Sequence, residues 1–145
     1  MKESDDSMNK LFSIYDELRN MNVKFFEQHQ LDAPAITIEI DCNYAIFVNP
    51  DKIHSIAEET CIAAHEAGHI MTGATHKVSS SLDLIEWHEY KAMRWAIQKL
   101  IPYDQFCLAL RHGIRKTWEL AEYFTVTEDF IRETIQFYQM QSFAS

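Results

Sequence analysis

Glycine, proline and cysteine are scarce in this chain, with three of each among 145 residues. Because glycine and proline are the commonest turn residues, their scarcity excludes a loop-rich fold and predicts one built mainly of helices. The cysteines Cys42, Cys61 and Cys107 are odd in number and contain no C-x-x-C pair. They fit free thiols in a reducing cytoplasm rather than a disulfide framework.

Long apolar runs and positive charge are also lacking. No apolar stretch reaches the roughly 18 residues of a membrane-spanning helix. The acidic start MKESDDSMNK lacks the positive and apolar parts of a signal peptide. Thirteen basic residues against 22 acidic ones give a net charge of −9, which repels nucleic acid phosphates. We therefore expect a cytoplasmic protein with no membrane segment and no direct contact with nucleic acid.

Hydrophobic residues are plentiful, at 47% of the chain, and predict one folded domain over residues 1–145. Within it, residues 1–7 are predicted to be a flexible acidic leader. Residues 115–140 are predicted to form a helix-turn-helix-like C-terminal subdomain. The predicted fold class is α+β, a helix-rich domain with a small sheet of two or three strands.

Hydrophobic periodicity predicts the individual elements. Alternating β-branched residues predict strands at Ile36–Ile40 and Tyr44–Val48, joined by a turn at Asp41–Asn43. The segment Val23–Phe26 fits either a strand or an extension of the first helix. Residues 73–82 are polar and aperiodic, which predicts a loop. Apolar residues at helical spacing predict helices at about Met8–Asn20, Ile53–Thr72, Leu84–Leu100, Tyr103–Leu110, Trp118–Phe124 and Glu128–Tyr138.

The most informative motif is HEAGH at residues 65–69, an H-E-x-x-H pattern inside the second predicted helix. Positions i and i+4 of a helix share a face, so the imidazoles of His65 and His69 can reach one metal ion. Glu66 is rotated by about 100° from His65 and falls beside the metal, where a general base for an activated water stands. The motif predicts metal-assisted hydrolysis. The alternative is two partly buried histidines bonded to backbone carbonyls.

A catalytic zinc needs a third protein ligand and keeps its fourth position for water. Cys61 shares the helix face of His65. However, the stretch from Cys61 to His69 covers about 12 Å of helix rise, too far for convergence on one ion. Cys61 is better interpreted as a small core residue.

The next predicted helix offers the missing ligand. Glu89, 20 residues after His69, shares a helix face with the small residues Ala92 and Ala96, which permit close helix approach. Glu86, one turn earlier on a similar face, is the alternative ligand. His88 points about 100° away, which disfavours it.

Three stretches of the chain resemble one known family. They are HEAGH, the run EYKAMRWAIQKLIP that begins at Glu89, and WELAEYFTVTEDFIRETIQFY near the end. These stretches cover most of residues 55–138 and resemble the ImmA/IrrE family of metallo-endopeptidases, known from phages and mobile elements. The resemblance implies a zincin-like metallopeptidase fold. It also implies that His65, His69 and Glu89 bind Zn²⁺ and that Glu66 is catalytic.

Two residues depart from the family's pattern. Lys91 stands where many members have a second acidic residue, and Met93 replaces the usual Asn or Asp. If that polar side chain orients a ligand or the substrate, its loss weakens metal binding by about 10–100-fold. Because all three ligands and the base are present, activity is still predicted.

Peptide hydrolysis also requires a group that stabilises the oxyanion. His76, His88 and Tyr90 are candidates because they lie near the motif in sequence. For each of them, an ordinary surface or packing role is the better interpretation.

The resemblance implies a zinc peptidase acting on a protein substrate, a repressor of phage type, and leaves the oligomeric state open. A second hypothesis is a zinc-binding protein that binds and inactivates a transcriptional regulator without cleaving it. A third is a DNA-binding regulator acting through residues 118–138. It is disfavoured because Glu128, Asp129 and Glu133 lie on the predicted recognition helix.

Overall fold

Helices and one small sheet make up the fold, which a computed structural model describes for residues 2–74 and 81–144. Side chains are described for residues 8–74 and 81–141. The helices are α1 (Lys2–Asn20), α2 (Ile56–Met71), α3 (Leu82–Leu100), α4 (Tyr103–Arg111), α5 (Thr117–Phe124) and α6 (Glu128–Ala144), with a short 3-10 helix at Pro50–Lys52. The strands are β1 (Lys24–Glu27), β2 (Ala35–Ile40) and β3 (Asn43–Val48). The predicted helix-rich α+β class is confirmed.

The sheet has the order β1-β3-β2, with β1 parallel and β2 antiparallel to the central strand. The β2–β3 hairpin turns at Asp41 and Cys42, whose φ angles of 51° and 65° are positive as in a type I′ turn. The sequence of Val23–Phe26 fitted either a strand or an extension of the first helix. The structure has a strand here, β1, which pairs with β3 from Lys24 to Glu27. β1 and β2 are therefore both edge strands.

The first helix begins earlier than predicted. α1 begins at Lys2 rather than near Met8, so residues 2–7, predicted to be a flexible leader, are helical. This stretch is polar, and apolar periodicity reports the buried face of a helix rather than helicity itself. The sequence pattern therefore gave no signal for the first turns.

Serine caps set the starts of the two helices that matter most for the site. The Ser55 hydroxyl accepts a hydrogen bond from the Glu58 amide at 3.1 Å, so α2 begins at Ile56 rather than at Ile53. The Ser81 hydroxyl likewise accepts from the Leu84 amide at 3.3 Å, and α3 begins at Leu82, inside the predicted loop. Residues 75–80 of that loop lie outside the described part of the chain.

Side chains from both ends of the chain meet in one hydrophobic core. Leu120 and Phe124 of α5 and Ile131 of α6 are buried in the same cluster as Ile14 and Leu18 of α1. The helix-turn-helix-like pair α5–α6 is thus packed against the rest of the fold.

Among the helices of the described residues, none combines the length and apolar character that crossing a bilayer requires.

Polar contacts reinforce this packing of distant segments. The Lys10 ammonium donates to the Phe124 carbonyl at 3.1 Å and to the Leu100 carbonyl at 3.5 Å. Its Nζ also lies 5.5 Å from the centroid of the Phe124 ring. The buried Tyr138 hydroxyl donates to the Ile101 carbonyl at 2.6 Å. The ends of α3 and α5 are therefore held by side chains from α1 and α6.

Candidate metal centre

Close contact between α2 and α3 is the basis of the site. Gly68 of α2 lies against Ala92 of α3, and a Cβ on Gly68 would be 2.3 Å from the Ala92 carbonyl oxygen. Ala92 and Ala96 are completely buried in this contact. Since the two backbones are in contact here, polar side chains next to this contact on α2 and α3 are within reach of each other.

Three of the predicted residues converge between these helices. The potential ligand atoms of His65, His69 and Glu89 all lie within 4.8 Å of one another. Glu89 Oε2 is 2.8 Å from His65 Nε2, and its Oε1 is 3.1 Å from His69 Nε2. The two imidazole rings lie 4.9 Å apart between centroids. Two imidazole nitrogens and a carboxylate are a ligand set that zinc accepts, so the group can hold a metal ion.

Hydrogen bonds orient the ligand atoms. His69 Nδ1 lies 2.8 Å from the Ala74 carbonyl oxygen, and donation to that carbonyl turns Nε2 towards Glu89. Burial lowers the pKa of His69, but the bonds to Glu89 and the Ala74 carbonyl outweigh burial and leave the pKa raised. Hydrogen bonds from His65 and then from His69 hold the pKa of Glu89 well below its usual range. Glu89 is therefore ionised at neutral pH, the state in which a carboxylate can bind a metal.

Glu66 lies beside this group in a buried position. Its side chain is on α2, and the residue is only 8% exposed. The Thr37 hydroxyl of β2 donates a hydrogen bond to Glu66 Oε2. Thr37 therefore fixes one carboxylate oxygen and leaves Oε1 for a proton. Sequence reasoning missed Thr37, because its partner is 29 residues away and no local spacing signals the contact.

The other proposed ligands are not in the converging group. Among the described residues, that group consists of His65, His69 and Glu89 and does not include Glu86. Cys61 is partly buried, with its Sγ 3.9 Å from Thr127 Oγ1. Burial raises the pKa of the Cys61 thiol, which disfavours the thiolate that a metal requires.

The oxyanion candidates lie in different places. Tyr90 packs between Trp87 and Phe137 on the α6 side of α3, with ring centroids 5.6 and 6.4 Å away. His88 is half-buried on α3 and lies outside the converging group. His76 lies outside the described residues. The assignment of an oxyanion group stays a prediction.

Replacement of Glu89 by alanine is expected to weaken zinc binding by more than about 100-fold, because changes beyond the ligands alone cost about 10–100-fold. Zinc affinity is measured by competition with a chromogenic chelator. Glu86→Ala is the matched control: it removes an exposed carboxylate one turn away and should leave the affinity unchanged. Equal effects of the two substitutions would contradict the assignment of Glu89.

Comparison with known families agrees with this geometry. The peptidase M78 family, described as the IrrE N-terminal-like domain, matches residues 10–136. No curated protein and no solved structure matches the chain significantly. The match runs from α1 into α6, includes the whole converging group, and confirms the resemblance to ImmA/IrrE metallopeptidases. The chain therefore belongs to the IrrE N-terminal-like domain family of metallopeptidases.

Proposed function

We propose that this chain is a zinc-dependent endopeptidase that cleaves a protein substrate, a repressor of phage or mobile-element type. The observation that carries the proposal is the convergence of His65, His69 and Glu89 next to the buried Glu66. The ligand set suits zinc, and three protein ligands leave a coordination position for water. The repressor as substrate rests on the resemblance to ImmA/IrrE proteins.

Glu66 is the group that moves protons in this mechanism. A zinc ion held by His65, His69 and Glu89 would supply Lewis acidity and lower the pKa of a bound water. Thr37 holds Glu66 Oε2, so the carboxylate is fixed between α2 and β2. Oε1 accepts a proton from the attacking water and passes it to the nitrogen of the leaving amine. Burial of Glu66 keeps bulk water from competing for that proton.

Incubation of the zinc-loaded protein with the repressor of a neighbouring gene tests the proposal. We expect a single zinc ion per chain, cleavage of the repressor into discrete fragments, and loss of cleavage on chelation. Added zinc should restore cleavage, which separates metal removal from unfolding. An intact repressor recovered in a stable complex with the zinc-loaded protein would contradict cleavage and favour the non-cleaving alternative.

Replacement of Thr37 by valine should lower kcat by about 10–100-fold with little change in KM, by analogy with groups that orient metal ligands. Valine keeps the shape of threonine but leaves Glu66 Oε2 without its donor. Thr37→Ser keeps the hydroxyl and should retain most of the activity. Steady-state kinetics and zinc titration of both variants check this. A serine variant as slow as the valine variant would argue for a packing role of Thr37.

A further inference from the structure

An exposed apolar surface lies on the side of α3 that faces α6, on the same helix that carries Glu89. This α3–α6 surface is defined by Trp87, Tyr90, Met93, Arg94, Phe137 and Met140. Trp87 is 50% exposed and Met140 is 61% exposed. Large apolar side chains exposed together mark interaction sites more often than ordinary surface. Tryptophan, tyrosine and arginine are also the residues that dominate binding energy at protein interfaces.

Two cations lie on the aromatic rings of this surface. The Arg94 guanidinium is 5.9 Å from the centroid of the Tyr90 ring, and the Lys91 ammonium is 5.1 Å from that of Trp87. No carboxylate among the described residues pairs with either cation. Lys91 and Arg94 outnumber Glu133, the one carboxylate among the described residues that line the groove. In a chain of net charge −9, this surface therefore offers positive charge to an acidic partner.

A groove between α3 and α6 runs through the same surface. It encloses about 140 Å³, with apolar walls from Met93, Ile97, Phe137 and Met140 and a polar rim from Arg94, Glu133 and Gln136. An apolar cavity of about 150 Å³ is large enough to hold benzene. The groove therefore has room for one large apolar side chain. Its two methionines are flexible and adapt to side chains of different shape.

The groove and the metal centre share helix α3, so one extended polypeptide can reach both. Met93 follows Glu89 by one helical turn on the same face, which is about 6 Å along α3. An extended chain advances by about 3.3–3.6 Å per residue. The rise of about 6 Å along the axis corresponds to about two extended residues. The groove lies further round the helix towards α6, at Tyr90, Arg94 and Ile97, which adds residues to that span.

We propose that the α3–α6 surface is the substrate-recognition site of this peptidase. Its groove takes a large apolar side chain of the substrate, and Arg94 binds an Asp or Glu next to that side chain. This inference rests on the proposed function, because the occupant is the polypeptide substrate. It also gives the two departures from the family pattern a role. Met93 makes the groove apolar where Asn or Asp would be polar, and Lys91 adds positive charge beside Trp87 on the same surface.

Peptide binding to the 145-residue Glu66→Gln protein, loaded with zinc, tests the recognition site. The probes are Gly-Gly-Asp-Leu-Asp-Gly-Gly, a version with Ala for Leu, and a version with Asn for both Asp residues. The readout is NMR of ¹³C-labelled methionine methyl groups at physiological salt. Met93 and Met140 report on the groove, and Met21, exposed after the end of α1, is the internal control.

We expect the Leu peptide to shift the Met93 and Met140 methyls but not that of Met21. It should bind about fivefold tighter than the Ala peptide, since an open groove removes only part of the leucine side chain from water. It should bind about threefold tighter than the Asn peptide, as expected for an exposed ion pair. The net negative charge of the protein repels the Asp peptide. A preference for Asp over Asn therefore indicates a cation at the binding site.

Substitutions separate the two parts of the recognition site. Arg94→Gln should remove the preference for Asp over Asn and keep the preference for Leu over Ala. Met93→Asn should remove the preference for Leu over Ala and keep the preference for Asp over Asn. If Met93→Asn fails to fold, Met140→Gln, at a more exposed position, replaces it. Arg111→Gln removes an exposed arginine on α4 and should leave both preferences unchanged.

Four results would overturn the inference: groove methyls that do not respond, equal binding of the Leu and Ala peptides, an Asp preference that survives Arg94→Gln, and a concentration-dependent shift of Met140 without peptide. The last would assign the surface to a second copy of the chain. Binding is measured without cleavage, so the inference and the proposed function fail separately. If the protein cleaves its repressor but the Met93 and Met140 methyls do not respond to peptide, only the recognition site is contradicted. If these methyls respond to peptide but the protein never cleaves, only the proposed peptidase activity is contradicted.

Discussion

Replacement of Glu66 by glutamine is expected to lower kcat for peptide hydrolysis by about 10²–10⁴-fold, the usual contribution of a general acid–base group. Glutamine has the size of glutamate, and its amide oxygen can still accept the Thr37 hydrogen bond. It has no carboxylate to take a proton from water. Because Glu66 is outside the group formed by His65, His69 and Glu89, zinc affinity should stay at the level of the parent protein.

Parallel measurement of zinc content and of repressor cleavage checks this expectation. Glu59→Gln is the matched control, because Glu59 lies two turns earlier on α2 and hydrogen-bonds to Tyr15 rather than facing the metal centre. It should cleave like the parent protein. A Glu66→Gln protein that keeps zinc and cleaves at the parental rate would show that Glu66 is not the base.

Replacement of Gly68 by alanine should destabilise the fold by at least about 2 kcal/mol, the scale of overpacking a tight interior. The new Cβ would lie 2.3 Å from the Ala92 carbonyl oxygen, and a backbone atom has no side-chain rotation to relieve the contact. Alanine gains about 1 kcal/mol over glycine in helix propensity, which offsets part of the loss. Separation of α2 from α3 should also weaken zinc binding, since the proposed ligands come from both helices.

Urea unfolding and zinc titration measure the two effects. Gly113→Ala is the control, because its Cβ would meet no atom of the described residues within 4 Å and only its φ of +83° opposes the substitution. That backbone conformation costs about 1–2 kcal/mol for a non-glycine residue. Zinc affinity should be normal in this control. A Gly68→Ala protein as stable as the parent would refute the tight backbone contact between α2 and α3.

The converging residues were accessible from sequence because helical spacing encodes their positions. His65 and His69 are one turn apart on one helix, and Glu89 shares a face with the small residues that allow α3 to approach. Thr37 could not be found in this way. Its contact with Glu66 depends on how the sheet packs on α2, and that is a property of the folded chain alone.

The same distinction between local and distant signals applies to the fold. The β2–β3 hairpin has alternating strands and a turn within a few residues of each other, so local chemistry specifies it. β1 has only four residues and pairs in parallel with β3, a partner that is distant in the chain. Its sequence therefore stayed ambiguous until the pairing was known. Residues 2–7 show the limit of predicting helices from hydrophobic periodicity, since a polar helical turn has no apolar face for the pattern to reveal.

The lysine at position 10 also affects how this protein is made. Its bonds to the carbonyls of Leu100 and Phe124 span 90 and 114 residues of chain. A ribosome delivers the N-terminal segment first, so α1 emerges long before these partners exist. Contacts across such distances form late and slow the folding of a domain. Because α1 also packs against α2, the helix with the proposed catalytic glutamate reaches its final surroundings only after residue 124 has been synthesised. A nascent chain that has not yet reached Phe124 would therefore hold α2 in incomplete surroundings.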